Sequence, residues 1–561
     1  MVSIVSREIP LDMAETLQLS GRHPVLARIL AARGIQSVAQ LESSLVGLIP
    51  PAQLTNVERM ANLLADAIAQ RKKLLVVADY DADGATACAV SVSGLRMLGA
   101  QVEYLVPNRF EYGYGLTPEI VALAAQQQPD ILMTVDNGIA SIEGVRAANA
   151  LGMAVLVTDH HLAGDTLPEA ACIINPNQPG CNFPSKHLAG VGVAFYLMLA
   201  LRAEMRARGV FDGKAEPNLT ELLDLVALGT VADLVRLDEN NRILVEQGLR
   251  RIRAGKGRPG INALMKVAGR DPLRAGAQDF GFSVAPRLNA AGRLQDMSLG
   301  IDCLLTDDAD EALHMAQRLD ALNRERREIE ADMHASALAD LETYDPGDSY
   351  TLSLYQPDWH QGVIGILASR LKERFHRPVI AFANAGDGTI KGSGRSIPGL
   401  HLRDALDMVF KRHPDMLLRF GGHAMAAGLT IAEHDFERFS QALESVVRGL
   451  LTPAQLESII ETDGSMTAEE MQLALADLLD AQVWGQGFPA PEFDDRFNVV
   501  EQRIVGERHL KLRLEKDGRR FEAILFNSID PLPASIRAVY RLQANEYNGS
   551  RNLQLVLRYW E

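Results

Sequence analysis

A chain of 561 residues is long enough for about three or four domains. Its 47% hydrophobic and 23% charged residues are ordinary for a folded globular protein and exclude a disordered or fibrous one. The net charge of −16 argues against a protein that binds nucleic acid over its whole surface, so any such contact must be local.

Charge is in fact uneven. Residues 351–420 carry ten Lys/Arg against six Asp/Glu, and residues 501–561 carry eleven against eight. The four cysteines, Cys88, Cys172, Cys181 and Cys303, form no CxxC pair, which argues against a zinc ribbon or a disulfide framework. The first residues do not resemble a secretory signal, and no charge-free apolar run reaches the roughly 18 residues of a membrane span. These features point to a reducing cytoplasm.

Residues 1–70 read as a helical extension: segments 23–33 and 56–71 repeat apolar residues every three or four positions, with Pro50-Pro51 between them. From residue 71 a strand–loop–helix pattern repeats. Strands are expected at 74–78, 102–106, 131–135 and 154–158, and helices at 85–98, 120–127 and 142–150. Short β-branched runs alternating with helices indicate a parallel α/β sheet, where ligands bind beyond the carboxyl ends of the strands.

Three of those ends carry Asp79-Tyr80-Asp81-Ala82-Asp83-Gly84, Asp136-Asn137-Gly138 and Asp159-His160-His161. Asp81 and Asp83, two apart in extended chain, point the same way. Crowded carboxylates repel one another unless a cation sits among them. A helix cap would need one Asp, not three, and a turn needs no histidine. A hard-metal site is therefore the better reading of this lobe.

Gly190-Val191-Gly192-Val193-Ala194 opens a helix reaching about residue 203. An apolar helix then leads to Gly229-Thr230-Val231-Ala232-Asp233, a fourth acidic position that alone would be an unremarkable helix end. Residues 281–293, with Pro-Arg287-Leu-Asn289-Ala-Ala-Gly-Arg293, suit either an anion site close to backbone or a tight interdomain turn with solvent-facing arginines. Residues 307–341 read as a long helix between two lobes, ended by Tyr344-Asp345-Pro346-Gly347-Asp348.

A second α/β lobe follows, with strands at 351–355 and 378–383 and a helix at 362–375. Lys391-Gly392-Ser393-Gly394-Arg395-Ser396 reads as a phosphate-binding loop of glycines, hydroxyls and cations, though not a Walker loop. Phe420-Gly421-Gly422-His423-Ala424-Met425-Ala426-Ala427-Gly428 reads as another small-residue loop. Residues 451–490 look like a helical joint. Alternation at 510–515, a turn at Lys516-Asp517-Gly518 and the hairpin signal Asn548-Gly549 then indicate a small antiparallel barrel of the oligonucleotide-binding type. A dimerisation or capping barrel is the alternative. The expected boundaries are 1–70, 71–306, 307–345, 346–452, 453–490 and 491–561.

In this order, with Asp-His-His third, the acidic and histidine positions resemble the DHH phosphoesterase superfamily. The likeness covers residues 70 to about 430, because the Gly-Gly-His423 loop is similar to the signature of that superfamily's associated second domain. Asp-Tyr-Asp-Ala-Asp-Gly, the Asn-Arg-Phe-Glu-Tyr-Gly-Tyr-Gly-Leu stretch at 108–116, Gly-Thr-Val-Ala-Asp, Pro-Arg-Leu-Asn-Ala-Ala-Gly-Arg and the barrel tail resemble its single-strand-specific DNA exonucleases.

The resemblance implies a metal-dependent 5′→3′ exonuclease with two divalent cations, Mn²⁺ or Mg²⁺, serving repair and recombination. It implies Asp81 and Asp136 on one ion, Asp83, Asp136, His160 and Asp233 on the other, and Asp79 as a further ligand. Many relatives place a His earlier in the first motif, where this chain has Val77 and Asp79. Catalytic roles fall to Asp136, as the bridge, and His161, on the scissile phosphate. Arg109, Arg287, Asn289, Arg293, Arg395, Ser396 and His423 are the expected substrate contacts. The implied partner is single-stranded DNA, with a single-strand-binding protein and a helicase beside it, and the implied state is a monomer with no membrane attachment.

Oxygen ligands with one imidazole suit Mn²⁺ and allow Mg²⁺, and the absence of thiolate argues against structural zinc. Two ions at ~4 Å acidify and orient a shared water for in-line attack on phosphorus, with no covalent nucleophile. Two other functions stay open. One is a superfamily phosphodiesterase or pyrophosphatase acting on short oligonucleotides, cyclic dinucleotides or pyrophosphate. The other is a DNA-binding scaffold that has kept the fold without the chemistry.

Overall fold

The computed structural model describes all residues except 1, 109–111, 113–114, 341–347, 423 and 548–549. Arg109, His423 and the Asn548-Gly549 turn therefore lie outside the described residues. Two compact units divide the chain: Ser6–Ala321 with Thr462–Glu561, and Met1–Val5 with Leu322–Glu461.

The chain begins with strand β1 (Val2–Ser6), where the sequence pattern indicated only helix, followed by helices α1 (Leu11–Leu19), α2 (Pro24–Ala32) and α3 (Val57–Ala69). The larger unit then builds β2 (Lys73–Ala78), α4 (Ala82–Met97), β3 (Gln101–Leu105), α5 (Pro118–Ala125), β4 (Ile131–Val135), α6 (Ile142–Ala150), β5 (Ala154–Thr158) and β6 (Cys172–Ile174). Their sheet runs β3-β2-β4-β5-β6, with every neighbouring pair parallel. Residues 74–78, 131–135 and 155–158 are buried throughout, because helices cover both faces of a parallel sheet. On one face Leu75, Val77, Leu132, Val155 and Val157 pack with Ile120, Val121 and Val145. Strand β6 is only three residues long, too short for a periodicity to reveal.

Helices α7 (Gly190–Ala207), α8 (Leu223–Ala232), α9 (Glu239–Arg251), α10 (Pro259–Val267), α11 (Ala285–Leu294) and α12 (Ser298–Leu305) complete this lobe. Residues 281–293, read from sequence as either an anion site close to backbone or a tight interdomain turn, are helical in α11 from Ala285 onward. A 32-residue helix, α13 (Ala309–Asp340), begins in the larger unit and ends in the smaller.

The smaller unit contains β7 (Leu352–Gln356), α14 (Ile364–Phe375), β8 (Val379–Gly386), β9 (Thr389–Arg395), α15 (Leu402–Arg412), β10 (Leu417–Gly422), β11 (Ala426–Ala432), α16 (Phe436–Leu450) and β12 (Ser458–Thr462). Strand β12 pairs with β1, and the main sheet runs β10-β11-β9-β8-β7. Both expected glycine loops are corrected here. Residues 391–395 are the central strand β9, and the 420–428 stretch supplies parts of β10 and β11. Their glycines make room for packing: a Cβ at Gly392 would stand 2.6 Å from the Phe382 ring, and one at Gly394 2.7 Å from Leu402.

The expected helical joint is also part strand. It holds β12 and one short helix, α17 (Leu473–Asp480). In the larger unit, β13 (Phe493–Val505), β14 (His509–Lys516), β15 (Arg519–Leu525), β16 (Ser535–Tyr547) and β17 (Ser550–Trp560) close into a barrel, ordered β13-β14-β15-β17-β16. Leu510, Leu512 and Leu514 face its core. The barrel is not wholly antiparallel: β15 and β17 pair in parallel, and that seam closes it.

Candidate metal centre and active site

Parallel register assembles the centre. Ala78 lies opposite Val135, and Val135 opposite Thr158, so Asp79, Asp136 and Asp159 are the next residues on three adjacent strands. Their amides continue the ladder, Asp79 N–H to Val135 O at 3.3 Å, Asp136 N–H to Thr158 O at 3.0 Å and Asp159 N–H to Ile174 O at 3.1 Å. Asn137 ties two of the strand ends together, donating to Val77 O and Val135 O. Asp136 itself adopts φ +61°, a left-handed conformation that Asp tolerates better than most residues.

The first motif turns directly into α4. Asp81 caps it, its Oδ1 accepting from the amides of Asp83 and Gly84 at 2.9 and 3.0 Å. Asp83 reaches the start of α7, where its carboxylate accepts from Gly190 N at 2.7 Å and Val191 N at 2.9 Å. Two helix N-termini thus face the acids, which favours negative charge there. Only glycine fits at two of these approaches. A Cβ at Gly190 would stand 2.6 Å from Asp136 Oδ1, and one at Gly229 2.9 Å from Asp83 Oδ1. Helix α8 comes that close and delivers Asp233 at its C-terminal end.

His160 joins the four elements. Its Nε2 stands 3.1 Å from Asp136 Oδ1, 3.5 Å from Asp233 Oδ2 and 3.9 Å from Asp83 Oδ2. Three overlapping groups have ligand atoms within 4.8 Å of one another: Asp79/Asp81/Asp136, Asp83/His160/Asp233 and Asp136/His160/His161. Burial, then the neighbouring Asp81, pushes Asp83 up to about 7. Burial and the charges of Asp83 and Asp81 also hold Asp136 and Asp233 well above the usual carboxylate range. Asp136 Oδ1 is buried and accepts no hydrogen bond among the described residues. An unsatisfied buried oxygen amid mutually repelling carboxylates fits a divalent cation, and the all-oxygen and imidazole donor set fits Mn²⁺ or Mg²⁺.

His161 is oriented differently. Its Nδ1 bonds Asp159 Oδ1 at 2.7 Å, and Asp159 also accepts from the amides of His160, His161 and Ile139. Burial pulls His161 down, but the bond and charge of Asp159, with Asp79 and Asp81, outweigh it and lift the imidazole to about 9. Burial raises Asp159, yet its bond to His161 and the histidine charges bring it below its ordinary value. Asp159 is thus a positioning residue absent from the expected site, although the motif itself begins with it. The Gly190 and Val191 amides were also missed. The sequence shows small residues opening a helix there, but not what that helix points at.

The expected substrate contacts divide. Asn289 accepts from Ala82 N at 2.8 Å, and Gly292 lets α11 pass so close to Tyr80 that a Cβ would stand 2.0 Å from its carbonyl oxygen. Helix α11 therefore backs the first motif. Arg287 is buried, paired with Asp320 at 2.9 Å and donating to Ser283 O, which differs from the expected phosphate role: its guanidinium serves the fold. Ser396 is buried and donates to Leu400 O at 2.9 Å, likewise inside the fold. Arg293 is half-buried in α11. In the smaller unit Arg395 donates to Gly394 O and Ser393 Oγ, and burial pulls its pKa down. Among the described residues no carboxylate lies within ion-pair distance of it.

Comparison with known proteins places this geometry in context. Residues 73–230 match the profile of the DHH family, N-terminal domain, residues 347–449 that of the DHHA1 domain, and residues 462–559 that of the RecJ OB domain. Over 552 residues the chain is 54% identical to the single-stranded-DNA-specific exonuclease RecJ of Salmonella typhimurium, covering 95% of each chain. It is 53% identical over 551 residues to the protein of the same name from Escherichia coli, again covering 95% of each. The crystal structure of RecJ in complex with Mn²⁺ from Thermus thermophilus superposes with a TM-score of 0.82 at 30% identity, over 100% of this chain and 79% of that one.

Proposed function

This chain belongs to the RecJ family of single-stranded-DNA-specific exonucleases, and we propose that it removes nucleotides from single-stranded DNA in the 5′→3′ direction, serving repair and recombination. The observation that carries the reading is the convergence of Asp79, Asp81, Asp83, Asp136, His160 and Asp233, from four separate stretches of the sequence, on one partly buried cluster. Asp79, Asp81 and Asp136 would hold one divalent cation, and Asp83, Asp136, His160 and Asp233 the other. Bound there, Mn²⁺ or Mg²⁺ supplies the charge that polarises the phosphodiester and acidifies a water.

The chain's own groups do the rest. Asp159 holds His161 by Nδ1, which leaves its Nε2–H to donate to a phosphate oxygen. The bond and charge of Asp159 favour the protonated ring, which would offset the charge that builds on phosphorus. Asn289 fixes the Ala82 amide, so the first motif stays in register beneath the substrate. Arg395, a cation drawn into the fold without a carboxylate, suits a DNA phosphate. Arg109, Arg293 and His423 remain proposed contacts, whereas Arg287 and Ser396 drop out because protein atoms already take their polar groups.

The barrel binds single-stranded DNA in this reading, and its long strands suit an extended chain better than a dinucleotide. The reading extends to a monomer in the cytoplasm, working beside a helicase and a single-strand-binding protein. It draws there on the family resemblance and on four buried free cysteines. Among the described residues no helix is long and apolar enough to cross a membrane.

The test is a competition assay with Mn²⁺ or Mg²⁺. Long single-stranded DNA bearing a 5′-phosphate should be shortened from that end, while dinucleotides, cyclic dinucleotides and pyrophosphate are poor substrates. A preference for the small substrates by orders of magnitude would reverse the assignment.

A further inference from the structure

Two apolar side chains beside the acidic centre face water. Leu234 directly follows Asp233 at the end of α8 and takes φ +59°. This is the left-handed position just past a helix that glycine or asparagine usually fills. A leucine there brings its Cβ too close to the backbone, and strain of that kind clusters at functional sites. Burial does not compensate for it, because Leu234 is 68% exposed. Phe282 is the second. It is 76% exposed, and the next most exposed phenylalanine among the described residues, Phe526, is 47% exposed. It stands on a single π-helical turn, Phe280–Val284, whose Phe280, Ser283 and Val284 are buried. Such turns are rare and recur at functional sites.

One contact brings the two positions together. A Cβ at Gly281 would stand 3.5 Å from Val231 Cγ1, and the Val231 carbonyl oxygen accepts from the Leu234 amide at 3.3 Å. Phe282 follows Gly281, and Asp233 is two residues beyond Val231. With ~3.8 Å between successive Cα atoms and ~1.5 Å of rise per helical residue, the Phe282 backbone lies within ~15 Å of Asp233. A stacked strand rises ~3.4 Å per nucleotide, so this distance spans only the first few nucleotides from a phosphate at the centre. The turn is also fixed in place. Arg270 Nε meets Ser283 Oγ at 3.3 Å, and the chain continues into α11, whose Asn289 holds the Ala82 amide of the first acidic motif.

We propose that Phe282 and Leu234 form a platform on which one nucleobase of the substrate stacks, a few nucleotides from the phosphate that is cut. The occupant follows from the position. Asp233 is one of the groups that would hold a cation, and a strand whose phosphate meets that cation passes within reach of the next residue, Leu234. An unpaired base has a free face for the ring and the aliphatic side chain. A base within a duplex has both faces covered and must first be unstacked, at a cost. The platform therefore adds to the preference for single strand, and it reads no sequence, because every base has a π-face. The proposal rests on the exonuclease reading, and the parent's own activity in the experiment below separates the two.

The experiment uses the full chain with Mn²⁺ and 5′-phosphorylated single strands, either intact or with one abasic residue at successive positions from the 5′ end. On the intact strand Phe282→Ala should raise KM about tenfold, within the roughly 5- to 150-fold expected for losing one base–aromatic stack, and leave kcat unchanged. Phe282→Trp should restore the parent KM. At one abasic position the parent should lose about the same factor, and Phe282→Ala should lose nothing further, because the stack is already gone. Leu234→Gly, relieved of the left-handed strain, should melt no lower than the parent yet raise KM a few-fold. Stabilisation by Mn²⁺ should be the same in the parent and all three variants, which shows Asp233 undisturbed. An unaltered KM in Phe282→Ala, or losses that multiply at every abasic position, overturns the proposal. So does a Leu234→Gly variant that melts lower, or loss of the Mn²⁺ stabilisation together with activity, either of which gives the two residues a purely structural role. If the parent itself does not shorten single-stranded DNA, it is the exonuclease reading that fails.

Discussion

The larger unit buries two groups of acids and treats them in opposite ways. Near the mouth of the barrel, Asp463, Glu492, Asp494 and Asp495 are all under 9% exposed, and each meets a cation. Arg33 forks onto Asp463 at 2.6 and 2.8 Å, Arg541 reaches Glu492 at 2.6 Å, Arg537 reaches Asp494 at 2.7 Å, and Lys516 pairs with Asp495. In the DHH lobe Asp83 and Asp136 are buried as deeply, yet no lysine or arginine pairs with them or with Asp233 among the described residues. Their pKa values rise instead. Where acid serves only to join elements, the fold supplies its own counter-charge. Where acid must present an exchangeable cation, the fold leaves a deficit that a permanent guanidinium would fill.

Removing one acid from each group separates the two arrangements. In the centre, Asp136→Asn keeps the shape and tolerates the positive φ. It should lower hydrolysis on the order of 1,000-fold or more, a loss of ~4 kcal/mol or above in transition-state stabilisation, while metal-free binding of single-stranded DNA persists. The metal-free variant should also melt higher than the parent, because one repelling charge is gone. Normal turnover by the variant would remove Asp136 from the bridging position. At the barrel, Arg33→Met should act in the opposite sense. Asp463 would be left buried without its partner, at a cost of about 3–5 kcal/mol, seen as an earlier denaturant midpoint with the per-molecule hydrolysis rate retained below it. An unchanged midpoint would erase the contrast.

How much of this was legible in the sequence follows from the range of the forces involved. The parallel sheet could be read because residues 131–135 and 155–158 are buried on both faces and so are mostly apolar, broken only by Thr134 and Thr158. The acids could be read because each follows such a run directly. Asp233 was visible only through family resemblance, since a helix end looks the same whether or not it faces a metal. The glycines of β9 were misread because a glycine that admits the Phe382 ring and one that admits a phosphate leave the same trace in a sequence. Arg287 was misread for a similar reason: its partner Asp320 is 33 residues away, and no local pattern connects them. The parallel seam of the barrel is a property of closure, which strand alternation does not encode.

The smallest expected effect is in pH, and its sign follows from the same contrast. Asp83 titrates near 7 in the folded metal-free protein against about 3.8 unfolded. A folded pKa that is raised means stability present in full below the unfolded value and lost as pH climbs to the folded one, so this carboxyl destabilises the metal-free protein progressively from about pH 4 to 7. His161, lifted to about 9 from about 6.5, loses its contribution between those values, in the same direction. A divalent cation replaces the protons on the carboxylates and should reverse their part of the trend. Stabilisation by saturating Mn²⁺ should therefore be larger at pH 7.5 than at pH 5.5, measured by thermal melting. Titrating the metal into weakly buffered protein at pH 6 should release on the order of one proton per molecule. The barrel acids, already matched by arginine and lysine, should contribute nothing to that release. A metal shift independent of pH, with no proton released, would mean that the DHH-lobe carboxylates are as well compensated as those at the barrel.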